Sequence, residues 1–342
     1  HYRKVIRCCK AHGVEPMIVL FHFSSPAWLI AKGGWEAESV VDDFVRYCRY
    51  VMERLGREVT YVCTINEANI RLQIADIMKR YMLQARQAQA AARDAESALQ
   101  MGMNMKALLE QQQLAAVEGA QAFGLSDPQG VHVFQSACTA KGDELICRAH
   151  AAARDAIKAI CPHLQVGLSL SFHDFQPAPG AEAAAEREWD KEFLHYLPYL
   201  QEDDYLGVQN YTRSLIGPEG LLPAPEGAEL TQAGYEFYPQ GLEHVLRRVA
   251  KDFHKPLYVT ENGIATADDS RRVAFIDAAL AGVDACIRDG LPVRGYFHWS
   301  LMDNFEWQKG YAMTFGLVAV DRSTQKRTPK PSLTHLGGFR SR

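Results

Sequence analysis

The stretch PLYVTEN, Pro256 to Asn262, decides the fold because it places a carboxylic acid directly after an apolar run. Such a run is typical of a strand in a parallel sheet, which is covered on both faces. A charged group at the end of a buried strand is either solvated or functional. Glu261 therefore marks either an ordinary surface loop or a site.

A second segment has the same form. VTYVCTIN, Val59 to Asn66, is an apolar run that ends in an amide and is followed by Glu67. Taken alone, each Glu is more often a solvated loop carboxylate or a charge at a helix N-terminus. In a closed parallel barrel, however, the carboxyl ends of all strands meet at one mouth. The pair therefore predicts that Glu67 and Glu261 face each other.

Strands and helices alternate along most of the chain, which predicts an α/β fold with parallel strands and right-handed crossovers. The predicted strands are Pro16 to Phe23, Val59 to Asn66, Gln165 to Phe172, Tyr205 to Tyr211, Pro256 to Asn262 and Val293 to Ser300. The predicted helices include Glu38 to Gly56, Asp143 to Ile160, Gly241 to Asp252 and Arg271 to Asp289. Six strands of this kind are visible.

Length and composition favour one large soluble domain over residues 1–342. Hydrophobic residues make up 47% and charged residues 23% of the 342, which is ordinary for a globular enzyme. The net charge of -4 predicts no nucleic-acid or membrane partner, and no apolar run approaches the roughly 20 residues of a membrane helix. Small neutral substrates fit this composition better.

The eight cysteines are scattered and lack paired C-x-x-C spacing, so we expect reduced core residues and no metal site. Reduced cysteines favour a cytoplasmic location.

Residues 70–142 have a different composition, rich in Ala, Gln, Met and Leu, which are strong helix formers. We predict a helical insertion within the single domain. A coiled-coil arm is the alternative, but no heptad pattern extends over three or four repeats. The insertion is open to two roles, a substrate channel or an oligomer contact.

Two carboxyl groups about 5 to 5.5 Å apart can cleave a glycosidic bond with retention of configuration, one as nucleophile and one as acid. Other predicted strand ends add groups that suit a sugar, since sugars present hydroxyls at their rims and weakly apolar C–H faces. Taken singly, the histidine among them is more often a core residue and each tryptophan more often packing. As a set they predict a carbohydrate pocket: His22, Gln209, Tyr211, Trp299, Glu306 and Trp307.

These residues resemble glycoside hydrolase family 1, the β-glucosidase and β-galactosidase family. TINEAN (Thr64 to Asn69), YVTENG (Tyr258 to Gly263) and WSLMDNFEWQKGY (Trp299 to Tyr311) are similar to the three segments that carry its active site. The resemblance covers the chain except for the insertion. It implies a (β/α)8 TIM barrel of which this chain holds strands 3 to 8, with the insertion after strand 4.

The resemblance also implies a role for each site residue. Glu67 would be the acid/base, Glu261 the nucleophile and Tyr211 its hydrogen-bond donor. Glu306 would bind two hydroxyls of the glycone, and a carboxylate there would repel a phosphate, so unphosphorylated β-glycosides are the expected substrates. The remaining implied contacts are His22, Asn66, Trp299 and Trp307 to the glycone and Gln209 on the leaving-group side. No cofactor is implied.

The chain departs from the family pattern in two ways. Ala68 replaces the usual proline after the acid/base, a change we expect to be tolerated because it removes only a backbone restriction. The family's first two strands have no counterpart before His1, and six strands leave the edges of an eight-stranded barrel unpaired. We therefore expect a missing N-terminal segment, or a second copy of the chain, to complete the barrel.

Three rival functions remain. A non-catalytic glycan-binding protein or inactive fragment would keep the pocket without turnover. A transglycosidase would use the same residues and differ only in the acceptor. A barrel aldolase or other lyase would need a Schiff-base lysine at a strand end, and none of the six predicted strand ends carries one.

Overall fold

The computed structural model describes residues 1–76, 78, 114, 116–307 and 309–339. About half of the predicted insertion over 70–142 lies outside these residues, and 70–76 and 116–123, which are described, are helical. The chain divides into two compact units. Among the described residues, the first holds those up to Ser171 together with Glu192–Gly207, and the second holds Phe172–Lys191 and those from Val208 onward. A single domain over 1–342 stays a prediction.

The helices are α1 (Tyr2–Ala11), α2 (Ala27–Ala31), α3 (Val40–Leu55), α4 (Ala140–Ile160), α5 (Glu182–Glu192), α6 (Leu197–Leu200), α7 (Gly241–Val249), α8 (Asp269–Arg288) and α9 (Pro331–Gly338). The strands are β1 (Met17–Phe21), β2 (Tyr61–Ile65), β3 (Gln165–Ser171), β4 (Asp174–Pro177), β5 (Tyr205–Gln209), β6 (Arg213–Gly217), β7 (Gly220–Leu221), β8 (Leu257–Glu261), β9 (Val293–Tyr296), β10 (Val318–Val320) and β11 (Arg327–Pro329). None of the described helices is long and apolar enough to span a membrane.

In the first unit the strands run parallel, as predicted. Tyr61 of β2 lies opposite Met17 of β1 on one side and Gln165 of β3 on the other. The start of β5 lies beside β3, since a Cβ on Gly167 would come within 2.3 Å of the Tyr205 carbonyl oxygen. Only glycine fits where two backbones approach so closely.

Helix α3 covers this unit with the face that its sequence predicts. Val40, Phe44, Cys48 and Met52 recur every four residues, and all of them are buried. Helix α4 packs beside α3. Repeated burial at this spacing is what an amphipathic helix on a sheet requires.

In the second unit β8 and β9 pair in parallel, with a register irregularity at Leu257 and Tyr258. Two features were not predicted: the small sheet β4-β6-β7 and the antiparallel hairpin of β10 and β11. Their strands are only two to five residues long, too short for a period of two to stand out from loop sequence.

The predicted strands and main helices are present, but several predicted strands extend too far. The strand predicted to reach Ser300 ends at Tyr296, and the one predicted to reach Tyr211 ends at Gln209. Beyond these points the chain leaves the ladder, so Tyr211 and Trp299 lie in loops. None of the eight cysteines, all of them described, forms a disulfide, but Cys8 is exposed on α1, so its predicted core position is wrong. Ile6 forms the buried side of that helix.

The segment that follows Glu67 is anchored by a buried ion pair. The fully buried Arg71 donates from Nη2 to Glu36 Oε1 at 2.7 Å. Thr139, the N-cap of α4, also donates to Glu36 through its hydroxyl and its N–H. A Cβ on Gly142 would lie 2.1 Å from Glu36 Oε1, so α4 begins directly against the carboxylate.

We expect Glu36→Ala to lower the free energy of unfolding by about 3 kcal/mol or more, because it leaves the Arg71 charge buried without its partner. Glu38→Ala is the matched control, since Glu38 is 58% exposed and pairs with the exposed Arg148. Its loss should cost less than about 1 kcal/mol. Urea unfolding of both variants measures the difference, and equal losses would contradict the structural role of the buried pair.

Candidate active site

Glu67 lies two residues after the end of β2 and has a left-handed backbone, at a φ of 45°. This conformation costs a non-glycine residue about 1 to 2 kcal/mol. Hydrogen bonds hold the turn in place: the Asn66 N–H donates to Phe21 O at 2.9 Å and the Glu67 N–H donates to Ser169 Oγ at 3.1 Å. The Ala68 N–H then donates to Ser169 O at 3.0 Å. Three successive amides are thus satisfied by neighbouring strands.

Two predicted site residues, His22 and Asn66, lie together beside this turn. Asn66 is buried, and its Oδ1 accepts a hydrogen bond from the Ser169 hydroxyl at 3.0 Å. Its Nδ2 donates to His22 Nε2 at 3.4 Å. Burial lowers the pKa of His22, which favours the neutral ring that can accept this bond.

Glu261 is the last residue of β8, and its side chain is buried, with 8% of the residue exposed. The Tyr211 hydroxyl donates to Glu261 Oε2 at 2.6 Å. A buried carboxylate needs such a donor, because an unpaired charge is costly away from water. Tyr211 and Glu261 are therefore held as a pair.

Buried polar groups fix the chain that follows Glu261. Asn262 donates from Nδ2 to Asn210 O at 2.7 Å and accepts from the Tyr296 hydroxyl at 2.8 Å. Its carbonyl accepts from the Trp299 N–H at 2.9 Å. A Cβ on Gly263 would lie 2.0 Å from the Trp299 carbonyl oxygen, so glycine is required there.

Trp299 and Glu306 lie close together in the loop after β9. The Trp299 indole donates from Nε1 to Glu306 Oε1 at 3.4 Å. Burial raises the pKa of Glu306, and the indole opposes that shift. The next predicted residue, Trp307, is 51% exposed.

The loop that carries Glu306 is anchored at its base. Asp303 Oδ1 accepts from Lys330 Nζ at 3.0 Å and from the Gly316 N–H at 2.8 Å. Lys330 also donates to Gly316 O at 2.7 Å. Burial lowers the pKa of Lys330, and Asp303 partly restores it. The base of the loop is therefore tied to the segment before α9.

Gln209 is the last residue of β5 and is fully buried, while its carbonyl accepts from the Phe172 N–H at 2.8 Å. Its predicted place on the leaving-group side stays a prediction. Glu67 and Glu261 belong to different units. Their approach to about 5 to 5.5 Å stays a prediction as well.

Sequence reasoning missed Ser169, Asn262, Tyr296 and the pair of Asp303 and Lys330. A signal for Ser169 was present in β3, where Gly167, Ser169 and Ser171 alternate with Val166, Leu168 and Leu170. The small residues of a two-residue period share one face of a strand. Among the residues that the structure describes, no group of three or more His, Cys, Asp or Glu could hold a metal ion.

Parallel strands followed by carboxylates, as at Glu67 and Glu261, are typical of barrel glycoside hydrolases. Residues 1–105 and 219–340 match the model of glycosyl hydrolase family 1, and the chain belongs to this family. The predicted family and its TIM-barrel fold are thereby confirmed, and the numbering of the strands as 3 to 8 stays a prediction.

The similarity to individual relatives extends over nearly the whole chain. A β-glucosidase from Agrobacterium sp. (strain ATCC 21400) is 30% identical, over 97% of this chain and 72% of the relative. The crystal structure of β-glycosidase BGL167 superposes with a TM-score of 0.84 and 39% identity, over 99% of this chain and 76% of that one. A 6-phospho-β-galactosidase from Lacticaseibacillus casei (strain BL23) is 28% identical, over 97% of this chain and 77% of the relative.

His298 is a largely buried histidine next to Trp299. Burial and the nearby Arg272 charge lower its pKa to about 3, and Asp269 and the Phe315 backbone partly oppose this shift. Its Nδ1 lies 3.5 Å from the Tyr296 hydroxyl oxygen. The folded chain therefore keeps this ring neutral in mild acid.

We expect the free energy of unfolding to fall as the pH drops below about 6.5, since the unfolded chain then binds a proton at His298 that the folded chain does not. The loss should approach about 1.4 kcal/mol per pH unit between pH 6 and 4. His298→Gln should remove it, whereas the exposed His254→Gln should not. Urea unfolding across this range measures the slopes, and an unchanged slope in His298→Gln would contradict the buried neutral state.

Proposed function

We propose that this glycoside hydrolase is a retaining β-glycosidase of the β-glucosidase type that acts on unphosphorylated β-glycosides. The observation that carries the proposal is the hydrogen bond from Tyr211 to the buried Glu261 at the end of β8. A donor at this distance stabilises the ionised carboxylate and fixes one oxygen, which leaves the other oriented for attack. The names of the β-glucosidase and β-glycosidase relatives support the same substrate class.

In the first step a carboxylate oxygen of Glu261 attacks the anomeric carbon while Glu67 donates its proton to the glycosidic oxygen. The bond from the anomeric carbon to that oxygen breaks, its electron pair leaves with the oxygen, and the alcohol departs. A covalent glycosyl-enzyme on Glu261 remains. Glu67 is then ionised.

In the second step water attacks the anomeric carbon and gives a proton to Glu67, which now acts as the base. The ester bond to Glu261 breaks and its carboxylate is restored. Each step inverts the anomeric carbon, so the product keeps the original configuration.

We assign glycone recognition to residues that suit a sugar. The neutral His22 and the amide of Asn66, held together at 3.4 Å, offer polar groups to hydroxyls. Glu306 accepts hydrogen bonds from two hydroxyls, and Trp299 and Trp307 cover the sugar with their indoles. Gln209 would lie on the leaving-group side. The substrate is a small-molecule β-glycoside, and we place the protein in the cytoplasm because none of its eight cysteines, all of them described, forms a disulfide.

Glu261→Ala should lower turnover of aryl β-glucosides by about a thousandfold or more, because no glycosyl-enzyme can form. It should also prevent labelling by a 2-deoxy-2-fluoro-glucoside, which mass spectrometry of a proteolytic digest locates on the wild-type chain. Glu67→Ala should lower kcat/KM by about 100-fold or more for phenyl glucosides and far less for dinitrophenyl glucosides, which need no proton.

The same assays separate the rival functions. Labelling and hydrolysis by the wild-type chain would exclude a non-catalytic glycan-binding protein. Addition of an alcohol acceptor distinguishes a transglycosidase, whose main product would be the new glycoside rather than free sugar. Unchanged turnover in Glu261→Ala would refute the assignment of the nucleophile.

Glu306 gives a separate prediction about the glycone. We expect Glu306→Gln to lower kcat/KM for an aryl glucoside by about 10- to 100-fold, since charge-assisted hydrogen bonds to the sugar are lost. For the corresponding 6-phosphoglucoside the same change removes a repulsive charge. The ratio of kcat/KM for the unphosphorylated glucoside to kcat/KM for the phosphorylated one should therefore fall. A wild-type preference for the phosphorylated substrate would overturn this part of the proposal.

A further inference from the structure

Ser169 lies in the middle of β3 and is fully buried, yet it meets the backbone of the turn at Glu67 in two places. Its hydroxyl accepts from the Glu67 N–H at 3.1 Å, and its carbonyl accepts from the Ala68 N–H at 3.0 Å. The Glu67 N–H belongs to the peptide group before the Glu67 Cα, and the Ala68 N–H belongs to the peptide group after it. The two bonds therefore fix the peptide plane on each side of the Glu67 Cα.

The backbone of Glu67 needs such restraint. A left-handed φ of 45° is unfavourable for a side chain with a Cβ, so it persists only where the surroundings impose it. A change in φ or ψ at this residue swings its side chain, because the direction of the Cα–Cβ bond follows the backbone. By restraining this backbone, the Ser169 hydroxyl influences the direction of the Glu67 carboxyl group.

The same hydroxyl also orients the neighbouring amide. Ser169 Oγ donates to Asn66 Oδ1 at 3.0 Å, which turns Asn66 Nδ2 toward His22 Nε2. One buried oxygen therefore receives a hydrogen bond from the Glu67 backbone and gives one to the Asn66 side chain. A hydroxyl can do both, since it holds one proton and two lone pairs.

We propose that Ser169 is a positioning residue that aims the Glu67 carboxyl at the glycosidic oxygen. The inference rests on the proposed role of Glu67 as the acid/base. The Ser169 hydroxyl bonds the Glu67 backbone and the Asn66 side chain. It acts by holding the strained turn, so its loss should weaken proton donation and leave nucleophilic attack by Glu261 unimpaired.

The test is the dependence of kcat/KM on the leaving group, measured on a series of aryl β-glucosides from dinitrophenyl to phenyl. This parameter reports the step in which Glu67 donates its proton. For Ser169→Ala we expect about a 10- to 100-fold loss with phenyl glucoside, because a misplacement of about 1 Å can cost 100-fold. With dinitrophenyl glucoside the loss should stay within about threefold, since that leaving group needs little protonation.

Two further variants and a folding measurement distinguish a loss of folding from a loss of Glu67 positioning. Ser171→Ala removes a hydroxyl two residues further along the same strand, where Asn69 and Gln73 bond the Ser171 backbone and not its side chain. For this variant the slope of log kcat/KM against the pKa of the leaving group should match that of the wild type. Ser169→Cys keeps the side-chain volume but offers only a weak hydrogen-bonding group, so it should steepen the slope in the folded chain. Circular dichroism sets a temperature at which all variants are folded.

The outcomes distinguish the inference from the function on which it rests. If Glu67→Ala leaves the slope unchanged, the acid/base assignment itself is wrong. If Glu67→Ala makes kcat/KM depend more steeply on the leaving group, but the two Ser169 variants lower kcat/KM equally for all substrates or not at all, Ser169 has only a structural role. The inference then fails. A steeper slope in both Ser169 variants supports it.

Discussion

Within each unit, the segments that follow the parallel strands leave backbone groups outside the ladder, and buried asparagine side chains pair several of these groups. Asn69 bonds the Ser171 backbone, Asn210 bonds Phe172 O, and Asn262 bonds Asn210 O. An unpaired buried amide or carbonyl would cost about 1 to 3 kcal/mol. Within each unit, short polar side chains thus hold neighbouring strand ends together, and they hold the segment that carries that unit's carboxylate, Glu67 in the first and Glu261 in the second.

This arrangement explains how far the sequence could predict the molecule. The apolar runs and helical periods determine burial, so the strands and the amphipathic helix α3 were predictable. Strand ends were not, because the chain stays close to the sheet beyond Gln209 and Tyr296, held by the Asn210 side chain and by the Trp299 N–H. Glu67 and Glu261 were found because each follows an apolar run. The alternation in β3 placed Ser169 on one face of its strand, but its contact with Glu67 joins residues 102 positions apart, and no local pattern reveals that contact.

Burial sets the charge state of the polar groups around these strand ends. It keeps His22 and His298 neutral and raises the pKa of Glu306. Fully ionised groups are tolerated only where a partner is fixed, as at Arg71 with Glu36. The neutral histidines can accept hydrogen bonds, which a protonated ring cannot. An ordinary solvated histidine would lose this capacity in mild acid.

Ala68 shows how a departure from the family pattern acts through the same interactions. The family's usual proline has no N–H and would leave Ser169 O without this donor, whereas the Ala68 N–H donates to it at 3.0 Å. Proline would instead stiffen the turn by fixing its own φ. In this chain a hydrogen bond therefore supplies restraint where the ring is missing. The change removes a restriction, as the sequence suggested, but it also makes the turn at Glu67 depend more strongly on β3.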